Sequence, residues 1–226
     1  MSTSRKLVIA IDGPAGSGKS TIAARLAKKL GYVNLESGAM YRALALKAME
    51  QGVALDDGDA LRKLADDTAV QLEPRGEGNR VLLDGRDVSQ RIREADVTAA
   101  ASRVSVHPPV RQLMVARQRE LGKAGGVVME GRDIGTAVFP NAEVKIFLDA
   151  DANIRAERRT LQNGSRSAEE AQRVLAELAT RDQRDRTREA SPLVAAPDAV
   201  HIDTTHKSID EVVAEVEEVV KAIDIG

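Results

Sequence analysis

The sequence predicts an α/β protein: a five-stranded parallel sheet covered by helices on both faces, carrying a small α+β insertion. Three observations predict it. Five short apolar runs, at 7–11, 32–35, 127–129, 144–148 and 200–204, read as buried strands, and stretches of helical periodicity separate them. A glycine-rich segment, Gly13-Pro14-Ala15-Gly16-Ser17-Gly18-Lys19-Ser20, stands between the first run and the first helical stretch. From about 66 to 106 the alternation breaks, and a hairpin pattern followed by an alanine-rich helical one takes its place. With 226 residues the chain is long enough for one substantial core, so a single domain with that insertion is expected.

Taken in order, residues 21–30 carry Ile22, Leu26 and Leu30 at helical spacing. The second strand ends in Glu36-Ser37-Gly38, and Ser37 is placed to cap a helix over 39–51 whose Met40, Leu44 and Ala48 share a face; Gly52 marks its end. A polar cluster at 56–59 opens a helix bearing Leu61, Leu64 and Ala65. Residues 70–73 and 80–83 read as hairpin arms around a turn at 74–79, with Asp84-Gly85 closing the unit. One helix is expected over 91–106, stopped by His107-Pro108-Pro109, and Pro109 then opens another over 110–123. The third strand ends in Glu130-Gly131-Arg132-Asp133, after which 134–142 reads as a loop with Gly135, Pro140 and Asn141. A helix over 152–162 meets the short joint Asn163-Gly164-Ser165, and the capping box Ser167-Ala168-Glu169-Glu170 starts another that runs to about 188. Two helices joined so tightly, about 155–188, have the shape of a small lid. A proline-bearing loop at 191–199 precedes the last strand, and a second capping box, Ser208-Ile209-Asp210-Glu211, opens a terminal helix to 223.

Composition narrows the function classes. Net charge is -2, so nothing in the balance points to nucleic acid or an anionic membrane. Two Phe, two Tyr and no Trp supply little for base stacking on aromatic platforms. The absence of cysteine rules out disulfides and thiolate metal sites, and His107, His201 and His206 lack the spacing of a metal pair. No window approaches the roughly 18 apolar residues of a membrane span, and a cytoplasmic monomer is expected.

Residues 13–20 fit G-x-x-x-x-G-K-[ST] at every fixed position. Glycines let the backbone close around a phosphate, so that successive N–H groups and the positive end of the following helix face the anion. Lys19 adds a mobile positive charge for the outer phosphates, and the Ser20 hydroxyl suits Mg2+. In a parallel sheet ligands gather at the carboxyl ends of the strands, which places residues 13–20, Ser37, Glu130 to Asp133 and Asp149 on one rim.

Between Arg155 and Arg188 the chain holds nine arginines and no lysine, against six carboxylates. Arginine is the planar, permanently charged fork that matches phosphate oxygens, whereas lysine would serve solubility equally well. Arg181, Arg184 and Arg188 share one helix face, with Asp185 four residues after Arg181. Beside a phosphate loop such a face reads either as a solvated charge run or as a cover that neutralises transferring phosphates. An acceptor that is itself a phosphate needs no general base; a hydroxyl acceptor would call for a carboxylate, for which Asp133 and Asp12 are the candidates.

Four stretches together resemble the signatures of the bacterial cytidylate kinases: Gly13 to Ser20, Ser37-Gly38-Ala39-Met40-Tyr41-Arg42, Glu130-Gly131-Arg132-Asp133-Ile134-Gly135-Thr136, and Arg181-Asp182-Gln183-Arg184-Asp185-Arg186. The likeness spans essentially the whole chain, including the insertion and the lid. It implies a phosphate-loop kinase core, a monophosphate-binding insertion at 66–106, and transfer of the γ-phosphoryl group of ATP, with Mg2+, to CMP or dCMP. The implied catalytic residues are Lys19, Arg132, Arg181 and Arg188. Gly13, Pro14, Ala15, Gly16, Ser17, Gly18, Lys19, Ser20, Thr21 and Arg158 would bind ATP, with Ser20 on the metal. Ser37, Arg42, Arg132 and Arg188 would approach the acceptor phosphate, Arg181 and Asp185 the sugar, and Ser102, Arg111 and Asp133 the base. A carboxylate accepting from cytosine N4 beside an arginine donating to N3 or O2 matches that base, and uracil reverses the order. Glu36 stands where an aspartate is common in the family.

Two rivals remain at this point. A GTP-dependent switch protein would carry Asn-Lys-x-Asp, and no Asn here is followed by Lys. A kinase for UMP, AMP or a small hydroxy acid would use the same arginine-rich lid.

Overall fold

Strand β1 (Val8–Asp12) forms the middle of the molecule because its residues are apolar on both sides: Ile9 and Ile11 face one layer of helices and Ala10 the other. A computed structural model describes residues 6–75, 78–164 and 166–224. From β1 the chain runs through α1 (Lys19–Leu30), β2 (Val33–Glu36), α2 (Ser37–Glu50) and α3 (Gly58–Asp66). A three-stranded antiparallel sheet follows, β3 (Val70–Arg75), β4 (Gly78–Leu83) and β5 (Arg86–Asp87), then α4 (Ala95–Val104) and α5 (Pro108–Gly122). The main sheet resumes with β6 (Val127–Gly131) and β7 (Val144–Asp149); α6 (Ala152–Gln162) and α7 (Ala168–Thr187) come next, and β8 (Val200–Asp203) and α8 (Ile209–Asp224) end the chain.

The five strands of the main sheet are all parallel, as the sequence pattern predicts, and they lie in the order β2-β6-β1-β7-β8. On one face α1 and α8 bury Ile22, Leu26, Val212, Val213 and Val216 against Ile9, Ile11, Ile146 and Leu148. Each such aliphatic side chain contributes about 1.5–3 kcal/mol on burial. A second cluster, Met40, Leu44, Leu61, Val104, Val110 and Met114, joins α2, α3, α4 and α5 into one block. The hairpin packs onto that block through Val81 and Leu83, which meet Ala39, Ala43 and Leu46 of α2.

Several local expectations are corrected. Ser37 is the first residue of α2 rather than its cap; its hydroxyl donates instead to the Glu130 carbonyl at 2.8 Å, across the rim. The expected helix over 91–106 is broken. Arg91–Arg93 forms a 3-10 turn, Glu94 is extended, and only then does α4 begin. Fully buried Ile92 packs with Val81, Leu83, Val88 and Val97, which draws the turn inward, and Arg91 ties the break by bonding Glu94 at 2.9 Å and Asp96 at 2.6 and 2.7 Å. Helix α5 starts at Pro108, one residue early, with His107 in the capping position. The segment read as a loop at 134–142 holds a π-helical turn, Ile134–Val138. β5 adds a third strand beyond the Asp84-Gly85 turn. Pairing in the hairpin reaches Arg75 opposite Gly78, so residues 74, 75, 78 and 79, read as turn, belong to the arms; 76 and 77 lie outside the described residues, as does Ser165. The capping box at α8 closes, with Ser208 and Glu211 bonding reciprocally, and at α7 Ser167 Oγ accepts from Glu170 N at 3.1 Å while Arg173 donates to the Glu170 carboxylate. No helix among the described residues is long and apolar enough to cross a membrane.

Candidate active site

The carboxyl ends of the main-sheet strands open into a cleft of about 1320 Å³, floored by the loop between β1 and α1 and flanked by α2, α4, α6 and α7. Gly13 is required there, since at φ +146 a Cβ would fall 1.9 Å from the Leu148 carbonyl oxygen. Gly18, left-handed at φ 93, opens α1 with no side-chain cap, so the first N–H groups of that helix face the cleft without a competing side chain. Lys19 Nζ is held by the Pro14 carbonyl at 2.6 Å and Ser17 Oγ at 3.3 Å. Burial, reinforced by Arg132, lowers its pKa to about 7. Ser20 Oγ donates to Glu130 Oε1 at 2.8 Å, pairing a hydroxyl with a carboxylate at the loop's mouth.

Helices α6 and α7 are fastened to the same loop. Arg155 of α6 donates to the Ala15 carbonyl at 2.9 Å and to Asp182 of α7 at 2.6 Å, and the Ala15 N–H donates to Asp182 at 3.4 Å. Ala15 also packs with Ala156, Val174 and Leu178. Arg158 reaches the other way, donating to Thr204 Oγ1 at 3.0 Å and to the Thr204 carbonyl at 2.6 Å, while Thr204 Oγ1 donates to the Ser17 carbonyl at 3.2 Å. The guanidinium groups of Arg159 and Arg181, in contrast, line the cleft with no hydrogen bond or ion pair among the described residues. Burial, then Arg132, lowers the pKa of Arg181 to about 10; burial, then Arg42 and Arg93, lowers that of Arg159. Cations crowded together in this way are poised for a polyanion.

The opposite side of the cleft is a network of buried ion pairs. Asp133, just after β6, accepts from Arg111 of α5 at 2.5 Å and from Arg188 at 3.5 Å. Arg188 also donates to Asp185 at 3.2 Å and to the Ser191 carbonyl at 2.8 Å, and Asp185 accepts from Arg132 at 2.9 Å. Burial pushes the Asp185 carboxyl up, but Arg132, Arg181 and Arg188 outweigh it and hold it below the ordinary carboxylate range. The Arg111 guanidinium lies 5.3 Å from the Tyr41 ring centroid, so Tyr41 packs beneath the pair. Glu36, at the end of β2, receives both Arg42 and Arg93, the latter at 3.0 Å; although burial raises its pKa, these two arginines bring it below the usual value. Ser102 Oγ accepts from Arg184 at 3.5 Å, a contact between α4 and α7.

A model of the family described as "Cytidylate kinase" matches residues 9–222. The chain is 52% identical over 217 residues to the cytidylate kinase of Geobacillus kaustophilus (strain HTA426), covering 96% of this chain and 97% of that one. It is 50% identical to the cytidylate kinase of Enterococcus faecalis (strain ATCC 700802 / V583), covering 96% of each. The chain belongs to the cytidylate kinase family. Among solved structures it is similar to a gluconokinase from Sinorhizobium meliloti 1021 at a TM-score of 0.49 and 16% identity, over 94% of this chain and 90% of that one, a likeness too distant to bear on function.

Within this member of the cytidylate kinase family, the residues the resemblance assigns to the site line the cleft except Gly13 and Pro14; Asp12, a candidate base, and Asp149, expected on the same rim, do not line it. Arg188 and Arg132 are engaged with carboxylates, and Arg158 with the loop after β8. Sequence reasoning missed Arg93 and Arg159, and it missed the bond from Ser20 to Glu130. Arg93 lay in a segment read as continuous helix, which gave its side chain no direction. Arg159 stood among nine arginines with nothing local to single it out.

Proposed function

We propose that this chain transfers the γ-phosphoryl group of ATP to CMP or dCMP, forming ADP and CDP or dCDP. One observation carries the choice of acceptor: the buried Arg111–Asp133 pair at the end of a cleft otherwise lined by arginines. The carboxylate accepts from cytosine N4 and the guanidinium donates to N3 or O2, and each satisfies the other until a base takes its place. Uracil would leave buried groups facing like partners, at about 1–3 kcal/mol each, or roughly fivefold to 150-fold in selectivity for each. The cleft exceeds the volume of about 300–1,000 Å³ usual for one drug-sized ligand, as a site for two nucleotides must.

The residues divide the work as follows. The N-terminal N–H groups of α1 and Lys19 hold the donor phosphates. Arg42, Arg93 and Arg132 meet the acceptor phosphate, and Arg159 and Arg181 lie between the two, where charge spreads over the γ-phosphoryl oxygens as it moves. Ser102 joins the base contacts, Asp185 and Arg181 meet the sugar, and Arg188 holds Asp133 and Asp185 in place. The hairpin and α4 form the acceptor-side subdomain, and α6 with α7 the lid. Mg2+ suits the donor set present, because it takes one or two protein oxygens and completes its shell with phosphates and water, and the Ser20 hydroxyl backed by Glu130 offers that. Held there, Mg2+ would supply positive charge that offsets the negative charge of the phosphates. A hydroxyl acceptor is disfavoured: Asp12 has both oxygens on backbone N–H groups and Asp133 is held between two arginines, so neither carboxylate is free to take a proton.

The test offers CMP, dCMP, UMP, AMP and shikimate in parallel with MgATP and measures ADP. Turnover with the two cytidine nucleotides far above the rest is expected, and Asp133→Ala should erase that preference. Turnover with another acceptor and none with CMP would return Arg111 and Asp133 to a purely structural role.

A further inference from the structure

We propose that Asp12 is a positioning residue for base recognition: its carboxylate caps the turn that follows Asp133, which frees the Asp133 side chain to face the acceptor. The inference rests on the reading that Asp133 meets the acceptor base.

Asp133 occupies the capping position of the π-helical turn Ile134–Val138, and its carbonyl accepts from Ala137 N at 2.8 Å and Val138 N at 3.1 Å. An aspartate in that position ordinarily turns its carboxylate back onto the first free N–H groups of the turn. Asp133 does not; its carboxylate points away, to Arg111 at 2.5 Å and Arg188 at 3.5 Å. The orphaned donors are served from another strand. Asp12, the last residue of β1, accepts from Ile134 N at 2.8 Å through Oδ1 and from Gly135 N at 2.7 Å through Oδ2. The β1–β6 register sets Asp12 opposite Gly131, which brings it within reach.

Two further features support a clamp rather than a chemical role. Asp12 is buried and does not line the cleft, so it touches neither nucleotide. The contact is also tight on its other side: a Cβ on Gly135 would lie 3.4 Å from Asp12 Oδ2 and 3.3 Å from Lys145 Cδ. Since Asp12 is bonded in sequence to Gly13, the strand that feeds the donor loop also sets the angle at which Asp133 is presented.

Asp12→Asn keeps the shape but leaves an amide NH2 facing one of the two N–H groups. KM for CMP is expected to rise about tenfold and the preference for CMP over UMP to narrow by a similar factor, because a buried donor loses its acceptor. The dissociation constant for ATP, measured without acceptor, should stay within about twofold of the parent value, since the loop's own N–H groups are untouched. Gly135→Ala disturbs the same contact without changing charge and should move the acceptor KM and the preference in the same direction, by about threefold; it carries the test alone if Asp12→Asn does not fold by circular dichroism. Equal losses of ATP and CMP affinity, or a fall in kcat with KM and preference intact, would overturn the proposal. Asp133→Ala is measured alongside: if it keeps the CMP preference, the base reading fails and the positioning role with it. If it loses the preference while Asp12→Asn and Gly135→Ala retain it, only the positioning role fails.

Discussion

On the proposed reading, the donor and acceptor sides of this cleft are built by different means. The donor side is a loop whose function lies in its backbone: glycines that admit close approach, an uncapped helix end, and one lysine held by the loop's own Pro14 carbonyl and Ser17 hydroxyl. The acceptor side is a set of charged side chains brought from distant parts of the chain, in which Arg111, Asp133, Arg188, Asp185 and Arg132 neutralise one another. A local backbone motif stays formed whichever of its side chains is altered, whereas a buried ion network depends on every member. Removing a donor-side charge should therefore impair catalysis without harming the fold, and removing an acceptor-side charge should harm both.

The largest effect is expected for Lys19→Met. Steady-state assays with CMP should show kcat/KM lower by about 10³-fold, the usual scale for deleting a preorganised charge at a transferring group. Denaturant midpoints should stay level or rise, because a desolvated ammonium is replaced by an apolar chain. A large loss of stability would break the comparison at its donor end.

Asp185→Ala tests the other end. It leaves Arg132 and Arg188 with no shared carboxylate in a buried site, and breaking such a pair from one side destabilises by about 3–5 kcal/mol. Urea titration should show the midpoint falling accordingly, and saturating CMP should recover part of the loss by returning negative charge to the arginines. A midpoint matching the parent protein would mean that the network carries no stability.

The same division decides how much the sequence reveals. The five-stranded parallel sheet, the phosphate loop and the capping serines Ser167 and Ser208 depend on contacts within a few residues or on strand-helix alternation, and they are legible. Ser37 was misread as a cap because its real partner, the Glu130 carbonyl, is 93 residues away. The break before α4 was invisible because what bends the chain there is the burial of Ile92 among residues of the hairpin and α2. Arg158 and Arg159 are neighbours in sequence, yet one is bound to the loop after β8 and the other is left facing the cleft. Nothing local separates them; the position of Thr204 does. The Asp12 bonds to Ile134 and Gly135, 122 and 123 residues on, belong to the same class.

The finest test concerns a proton. Without nucleotide, Lys19 titrates near 7 rather than at its ordinary 10.5, because burial and then Arg132 disfavour the charged form. At pH 8 the neutral amine is then the main form in the ligand-free protein. Bringing the triphosphate beside Nζ reverses the balance and raises the pKa, so binding ATP at pH 8 takes up a proton from solution. At pH 6 the amine is already charged and uptake should vanish. Asp12, raised to about 6 by burial despite its two backbone bonds, is ionised at pH 8 and lies outside the cleft, so it adds little there. Calorimetric titrations with ATP at pH 8, in two buffers of different ionisation enthalpy, should differ by a substantial fraction of one proton, and Lys19→Met should remove the difference. No buffer dependence at pH 8 would mean that Lys19 stays charged in the empty site. The donor loop would then hold its lysine as the acceptor network holds its arginines, with compensating negative charge close by, and the contrast between the two sides would narrow to one of backbone against side chain.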